Sequence, residues 1–344
     1  MTDNSQSLQI EKIITDILNT IEREREREII ARRYGLFDRK ETLEQIGELL
    51  GITRERVRQL EKAVMARLKA MADGGQLPHI TDVQHALSDE IHKLGKVARV
   101  SELSARLTKD NSRIDQARIS FLAELSPKLA VVEDNDNFHH AVGIAEVHDE
   151  KKIKELVDGI IDTIKKIGEP SEIEKVTETA GHKDTKHVGA LAATSKHLAT
   201  LNSRWGLVRW PMVNPKNIRD KIYVILHESG KHMHFNEIAG SIKDSDFKRK
   251  DVTTQAIHNE LIKDKRFVLI GRGIYALKEW GYEKGTVADI ITEVLRKAGE
   301  PLHRDEIVKQ VLKSRHVKET TILLNLQGKS QFKRVAKATY ALAD

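Results

Sequence analysis

Five polar side chains crowd one short stretch of the chain: Thr53, Arg54, Glu55, Arg58 and Gln59. Their types are those that read the edges of base pairs. An Arg guanidinium donates two parallel hydrogen bonds to guanine O6 and N7, a Gln amide pairs with an adenine edge, and a Glu carboxylate accepts from cytosine N4. Reading of this kind requires the side chains to project from the first turns of a helix lying in the major groove. Arg54, Glu55, Arg58 and Gln59 are the base-reading candidates, and Thr53 and Arg56 suit phosphate oxygens. The same face would also serve a helix-turn-helix that binds protein.

Other chemistries lack their parts. The chain has no cysteine, which excludes disulfides, thiolate metal sites and thiol nucleophiles. His139-His140 and His232 with His234 have no His-Glu-x-x-His partner, and two histidines on one strand face make a weak site. Gly271-Arg272-Gly273 lacks the third glycine and the following helix of a dinucleotide fingerprint, and reads better as a turn. Carboxylates are scattered among charged helices, and no Walker sequence is present. The expectation is therefore no catalytic residue, no metal, no cofactor and no small-molecule substrate.

Positioning the polar stretch falls to the elements around it. Apolar residues at Ile10, Ile13, Ile14, Ile17, Leu18 and Ile21 recur at three and four, predicting a helix from Ile10 to about Arg33. The alternating charges of Glu22 to Glu28 continue it as a solvated face. Thr42 with Gln45 is a capping-box pattern that opens a helix at Leu43. Ile46, Leu50, Ile52, Val57 and Leu60 supply an apolar angle, Gly47 a close approach and Gly51 a corner. Thr53 then caps a second helix running to about Met71.

The stretch from Glu22 to Ala72, with R-Y-G-L, T-L-E-Q-I-G-E-L-L-G-I and T-R-E-R-V-R-Q-L-E-K-A, resembles region 4 of the primary bacterial sigma factors. That resemblance implies two helix pairs, the second reading a −35 promoter element, with part of the region docked on the flap of RNA polymerase β. Carried over position by position, Arg54, Glu55, Arg58 and Gln59 match the base-reading and phosphate-contacting positions. Nothing elsewhere resembles the aromatic-rich helices of sigma region 2, and the chain has three Trp, at 205, 210 and 280.

Beyond Gly74-Gly75 the chain repeats itself. A helix ending in glycine is followed eight positions later by an apolar residue: Gly95 and Leu103, Gly168 and Val176, Gly230 and Ile238, Gly299 and Ile307. In the last two copies Phe267, Tyr275, Ala276 and Leu277 recur 65 residues on as Phe332, Tyr340, Ala341 and Leu342, in two short apolar runs around a small-residue turn. Helices at Ile218–Glu228, Asn236–Ile242 and about Val252–Lys263 precede the third hairpin, giving the plan of a winged helix. The second copy leads into a hairpin at Ala199–Trp210. In the first, Ala130–Val132 and Phe138–Val142 flank the acidic Glu133 to Asn137.

Copies three and four resemble the HARE-HTH winged helix found in the delta subunit of bacterial RNA polymerase, in chromatin proteins and fused to restriction enzymes. I-L-H-E-S-G-K-H-M-H-F-N-E-I-A and R-F-V-L-I-G-R-G-I-Y-A-L-K-E-W carry the likeness. It implies a nucleic-acid or polymerase adaptor without catalytic activity. On physical grounds Lys248, Arg249 and Lys250, before the third helix of copy three, and Arg272 at its wing are phosphate-binding candidates; solvated side chains are the alternative.

Over 344 residues the formal net charge is +6. Residues 1–75 sum to 0, 76–215 to −2 and 216–344 to +8, so the positive excess lies in the last third. Such an excess suits an anionic partner or a merely solvated surface. The fold expected is mainly α: a helix-turn-helix over 1–75, then winged-helix modules at 79–147, 148–214, 215–282 and 283–344, joined flexibly at Gly74-Gly75, Pro211 to Pro215 and Gly281 to Gly285. No apolar run approaches the ~20 residues of a membrane span. A soluble bacterial cytoplasmic protein on the nucleoid is expected, with double-stranded DNA and RNA polymerase core as partners. Three functions fit: a sigma-type transcription factor, an adaptor on polymerase subunits that modulates a resident sigma factor, or the DNA-binding arm of a restriction or defence system.

Overall fold

The apolar spacing at the N-terminus does build a helix, but a shorter one than expected. In a computed structural model describing residues 9–247, 249, 251–282 and 285–343, α1 spans Ile10–Asn19 and α2 spans Glu24–Tyr34. The chain turns between them. Asn19 and Thr20 are weak helix formers; the Thr20 hydroxyl bonds back to the Ile17 carbonyl at 2.7 Å, and Ile21 is drawn into the core. Nor is Glu22 to Glu28 a solvated face throughout. Glu26 is buried at 5% exposure and accepts from Arg67 and, at 3.5 Å, from Arg23.

The helix-turn-helix follows as α3 (Leu43–Leu50) and α4 (Arg54–Asp73). Behind it come units of one plan. The first has α5 (Ile80–Leu94), β1 (Val97–Arg99), α6 (Val100–Leu107), α7 (Arg113–Leu125), β2 (Leu129–Val132) and β3 (Ala141–Ile144). The second has α8 (Glu150–Ile167), β4 (Ser171–Glu172), α9 (Ile173–Thr179), α10 (Thr185–Thr194), β5 (Leu198–Leu201) and β6 (Arg204–Leu207). The third has α11 (Ile218–Ser229), β7 (Met233–His234), α12 (Phe235–Asp244), α13 (Thr254–Lys263), β8 (Phe267–Gly271) and β9 (Ile274–Leu277). The fourth has α14 (Val287–Ala298), β10 (Leu302–His303), α15 (Arg304–Ser314), α16 (Glu319–Gly328), β11 (Phe332–Ala336) and β12 (Thr339–Leu342).

In every copy the hairpin's second strand lies in the middle of a three-stranded antiparallel sheet, flanked by the first hairpin strand and the short strand after the first helix. This is the winged-helix arrangement. The repeated apolar position is the reason each copy closes: Leu103, Val176, Ile238 and Ile307 are all fully buried. The protein is mainly α, a helix-turn-helix followed by winged-helix modules.

Two compact units divide the chain, residues 1–209 and 210–344. Within the first, Gly74-Gly75 is no loose joint. One apolar core runs from Ile10 through Leu77 to Ile144, and Tyr34 meets Phe121 edge to face at 4.9 Å between centroids. Arg118 on α7 is buried; its Nε donates to the Leu36 carbonyl at 2.8 Å, it pairs with Glu11 at 3.0 Å, and it lies over the Phe37 ring. The helix-turn-helix module thus sits on the third helix of the first winged helix.

The next junction repeats the device. Gly95, at φ +114°, lies so close to α10 that an added Cβ would stand 2.7 Å from the Lys186 carbonyl oxygen. His187 on α10 bonds the Gly95 carbonyl through Nδ1 at 2.6 Å and meets His148 Nε2 at 3.1 Å. Lys96 pairs with Asp184 at 2.9 Å. All four residues of β3 are buried, with Ile153 of α8 against Gly143.

Candidate nucleic-acid interface

The corner of the helix-turn-helix is fixed before any side chain on its outer face is considered. Thr42 and Gln45 form the reciprocal capping box, at 3.2 Å and 2.9 Å. Gly51 ends α3 in the left-handed region at φ +64°, where a side chain would be strained. Gly47 lets the second helix approach, since a Cβ there would stand 2.7 Å from the Ile52 carbonyl oxygen. Ile29, Ile46 and Val57 fill the angle, with Leu43, Leu50, Ile52 and Leu60 around them. Polar ties then clamp α2 to the motif: Arg33 pairs with Glu61 at 3.2 Å, Arg32 with Glu41 at 3.0 Å, and Arg25 donates to the Leu50 carbonyl.

Thr53 caps α4, its hydroxyl accepting from the Arg56 N–H at 3.2 Å. Arg54, Glu55, Arg56, Arg58 and Gln59 are all exposed on the first turns, the placement groove reading needs. They are also organised among themselves. Arg58 grips Glu55 with two bonds, 2.8 Å and 2.7 Å. Gln59 donates to Glu55 at 3.3 Å while its own oxygen accepts from Arg56 at 3.3 Å. The Arg58 bond holds the Glu55 carboxyl down at a pKa of about 2. In this arrangement the donors and acceptors of the outer face occupy one another.

Lys62, one turn beyond Arg58 and exposed, belongs to the same face; its i+4 spacing was readable in the sequence. The Glu26–Arg67 and Arg33–Glu61 pairs join residues far apart in the chain and carry no local signal.

In the second unit the phosphate candidates fare unevenly. Lys248 and Lys250 lie outside the described residues. Arg249 is exposed at φ +58°, and its carbonyl accepts from Lys221 Nζ at 2.6 Å. Arg272 is exposed in the turn between β8 and β9. His232 and His234 do not converge: His232 stacks against His316 at 4.4 Å, while His234 accepts at Nδ1 from the Asn236 N–H at 3.2 Å. Among the described residues no group of three or more His, Asp or Glu is placed to hold a metal ion. No described helix is long and apolar enough to cross a membrane.

Fold and outer face together define a helix-turn-helix protein whose second motif helix, α4, presents its first turns to solvent. Comparison with known proteins is specific about that motif. Residues 23–70 match the family Sigma-70, region 4. The RNA polymerase sigma factor SigA of a Bacillus species is 42% identical over 57 residues, 16% of this chain and 15% of that protein. The principal sigma factor HrdC of Streptomyces coelicolor is 55% identical over 47 residues, 13% and 14% respectively. SigA1 of Synechococcus elongatus is 50% identical over 46 residues, 13% and 12%. The chain thus spans about one seventh of the length of these relatives, and the family match ends at residue 70, within α4.

Proposed function

We propose that this protein is a sequence-specific DNA-binding transcription factor of sigma type. It reads a −35-like promoter element with Arg54, Glu55, Arg58 and Gln59 and acts with RNA polymerase in initiation, its region 4-like module meeting the β flap. One observation carries the reading: an intact helix-turn-helix exposes these four side chains on the first turns of α4, within the stretch that matches sigma region 4. Thr53 and Arg56 position the helix on phosphate. The HARE-like winged helices of copies three and four supply further contacts to DNA or polymerase, with Arg249 and Arg272 on phosphate and Lys248 and Lys250 in the same role. The chain acts without chemistry of its own, in the bacterial cytoplasm on the nucleoid.

Substituting Arg58 and Gln59 by Ala tests the base reading. Each change is expected to cost roughly 1–3 kcal/mol on the preferred site and much less on random DNA. An equal loss on both would remove direct readout. Immunoprecipitation of the protein with its genomic DNA tests the role: peaks sharing a hexamer upstream of transcription starts are expected.

A second reading, an adaptor that modulates a resident sigma factor, draws support from the first two winged helices. Their third helices are occupied by neighbouring modules, and the loop between β2 and β3 is acidic. Occupancy spread through transcribed genes would favour it.

A further inference from the structure

The two wings of the second unit share a fold and differ in chemistry. At the constant offset of 65, Val268, Leu269 and Ile270 of β8 correspond to Lys333, Arg334 and Val335 of β11. In copy three this strand is a packing surface. Val268 and Ile270 are fully buried, with Trp280 and Tyr282 against them. Its outer edge is taken by the next module: Arg315 donates to the Leu269 carbonyl, the His316 N–H donates to the Ile270 carbonyl at 3.2 Å, and a Cβ on Gly271 would stand 3.0 Å from the His316 carbonyl oxygen. That wing has Arg272 as its one cation.

Copy four reverses this. From Lys333 to Lys337 every residue of the hairpin is exposed, three of the five being cations. Arg334 is steadied by its own turn, Nε donating to the Ala336 carbonyl at 3.1 Å. The third helix α16 packs on β11 and is bracketed by exposed Lys318 at its N-cap and Lys329 at its C-cap. Its face bearing Thr320, Leu324 and Gln327, one helical stripe, is exposed, Leu324 at 68%. Between 315 and 343 there is a single acidic residue, Glu319. Third helix and wing are thus both open in one module, with cations at the rim and short polar or apolar side chains in the middle. That charge pattern complements a duplex: cations for two backbones, an uncharged helix face for the groove between them.

The geometry points to a second nucleic-acid site on the C-terminal winged helix: α16 and the wing β11–β12 hold double-stranded DNA by its phosphates, without regard to sequence. It rests on the proposed role of the winged helices in contacting DNA and is independent of base reading by α4. Residues 215–282 and 283–344 each carry a net +4, and in copy four the positive charge is concentrated between 315 and 343, with six Lys and Arg against Glu319.

The test uses the full chain and a short fluorescent duplex of scrambled sequence, with affinity followed over a salt series. A protein that neutralises phosphates releases counterions, so the slope of log affinity against log salt measures the number of contacts at roughly 0.9 each. The triple variant Lys333→Ala, Arg334→Ala, Lys337→Ala is expected to lose about 2.7 from that slope and to bind on the order of 10²-fold more weakly at ~0.1 M salt. Lys333→Arg with Lys337→Arg keeps both values. An unchanged slope in a triple variant that melts like the parent overturns the site. So does loss of polymerase capture with the slope intact, since the surface would then bind protein. Arg58→Ala with Gln59→Ala separates the two readings, because it lowers preference for the promoter sequence and leaves the wing's share of the slope in place.

Discussion

Replacing Arg118 by Met removes the clamp between the helix-turn-helix and the first winged helix while keeping most of the side chain's apolar volume. The guanidinium–carbonyl bond to Leu36 is charge-assisted, worth about 1.5–3 kcal/mol, and the carbonyl it leaves belongs to a fully buried residue. The stack on half-exposed Phe37 adds ~0.5–1 kcal/mol. The pair with Glu11 adds less than about 0.5 kcal/mol, since that carboxylate is 70% exposed. Burying Met in place of a charge returns part of the loss. These contributions overlap and do not sum, so a net destabilisation of about 2–4 kcal/mol is expected, a large share of the ~5–15 kcal/mol of an ordinary domain. Urea unfolding of the full chain, followed by far-UV circular dichroism and by the combined fluorescence of its three tryptophans, reads it as a lower midpoint. Glu11→Ala is the control and is expected to shift stability by under ~0.5 kcal/mol. If Arg118→Met shifted stability no more than Glu11→Ala, the clamp would carry no energy and the shared core alone would join the modules.

Three further outcomes follow from the geometry. Gly95→Ala, which combines a left-handed backbone with a Cβ 2.7 Å from the Lys186 carbonyl oxygen, is expected to destabilise the first unit by roughly 2–4 kcal/mol and to raise protease cleavage near residue 95; wild-type stability would contradict the close approach. NMR titration of Glu55 is expected to give a pKa near 2, returning toward ~4.3 in Arg58→Ala; no change in the variant would mean that the pair does not form in solution. Burial, then His187, holds the His148 pKa below its ordinary value, so the unfolded chain binds this proton first as pH falls. Stability is therefore full at neutral pH and declines below about 6.5 until the folded form also titrates. His148→Phe should flatten that decline in pH-dependent urea melts, and an unchanged decline would assign it to other groups.

What could be read from the sequence was local. Thr42 with Gln45, the corner Gly51 and the cap Thr53 each act within four residues, so their geometry is written in consecutive letters. The Phe and Tyr-Ala-Leu of the last two hairpins repeat because each copy solves the same packing problem. What escaped was long-range. Glu26 is an ordinary letter in an alternating run until α4 brings Arg67 over it, and the turn at Thr20 exists because Ile21 finds a core assembled from residues as distant as Ile144. Which wing is open was hidden for the same reason: Val268 and Ile270 read as strand either way, and only the neighbouring Arg315–His316 segment makes them an internal surface.

The docking of α7 on the preceding module and of α10 on the one before it is a head-to-tail rule. Both winged helices of residues 1–209 offer the third helix backward, one to the helix-turn-helix module and the other to the turn before β1. Such an interface is heterologous and open-ended, like the stacking of a solenoid repeat, where stability accrues from nearest neighbours. A change at either joint within residues 1–209 is therefore felt first by the two modules that share it.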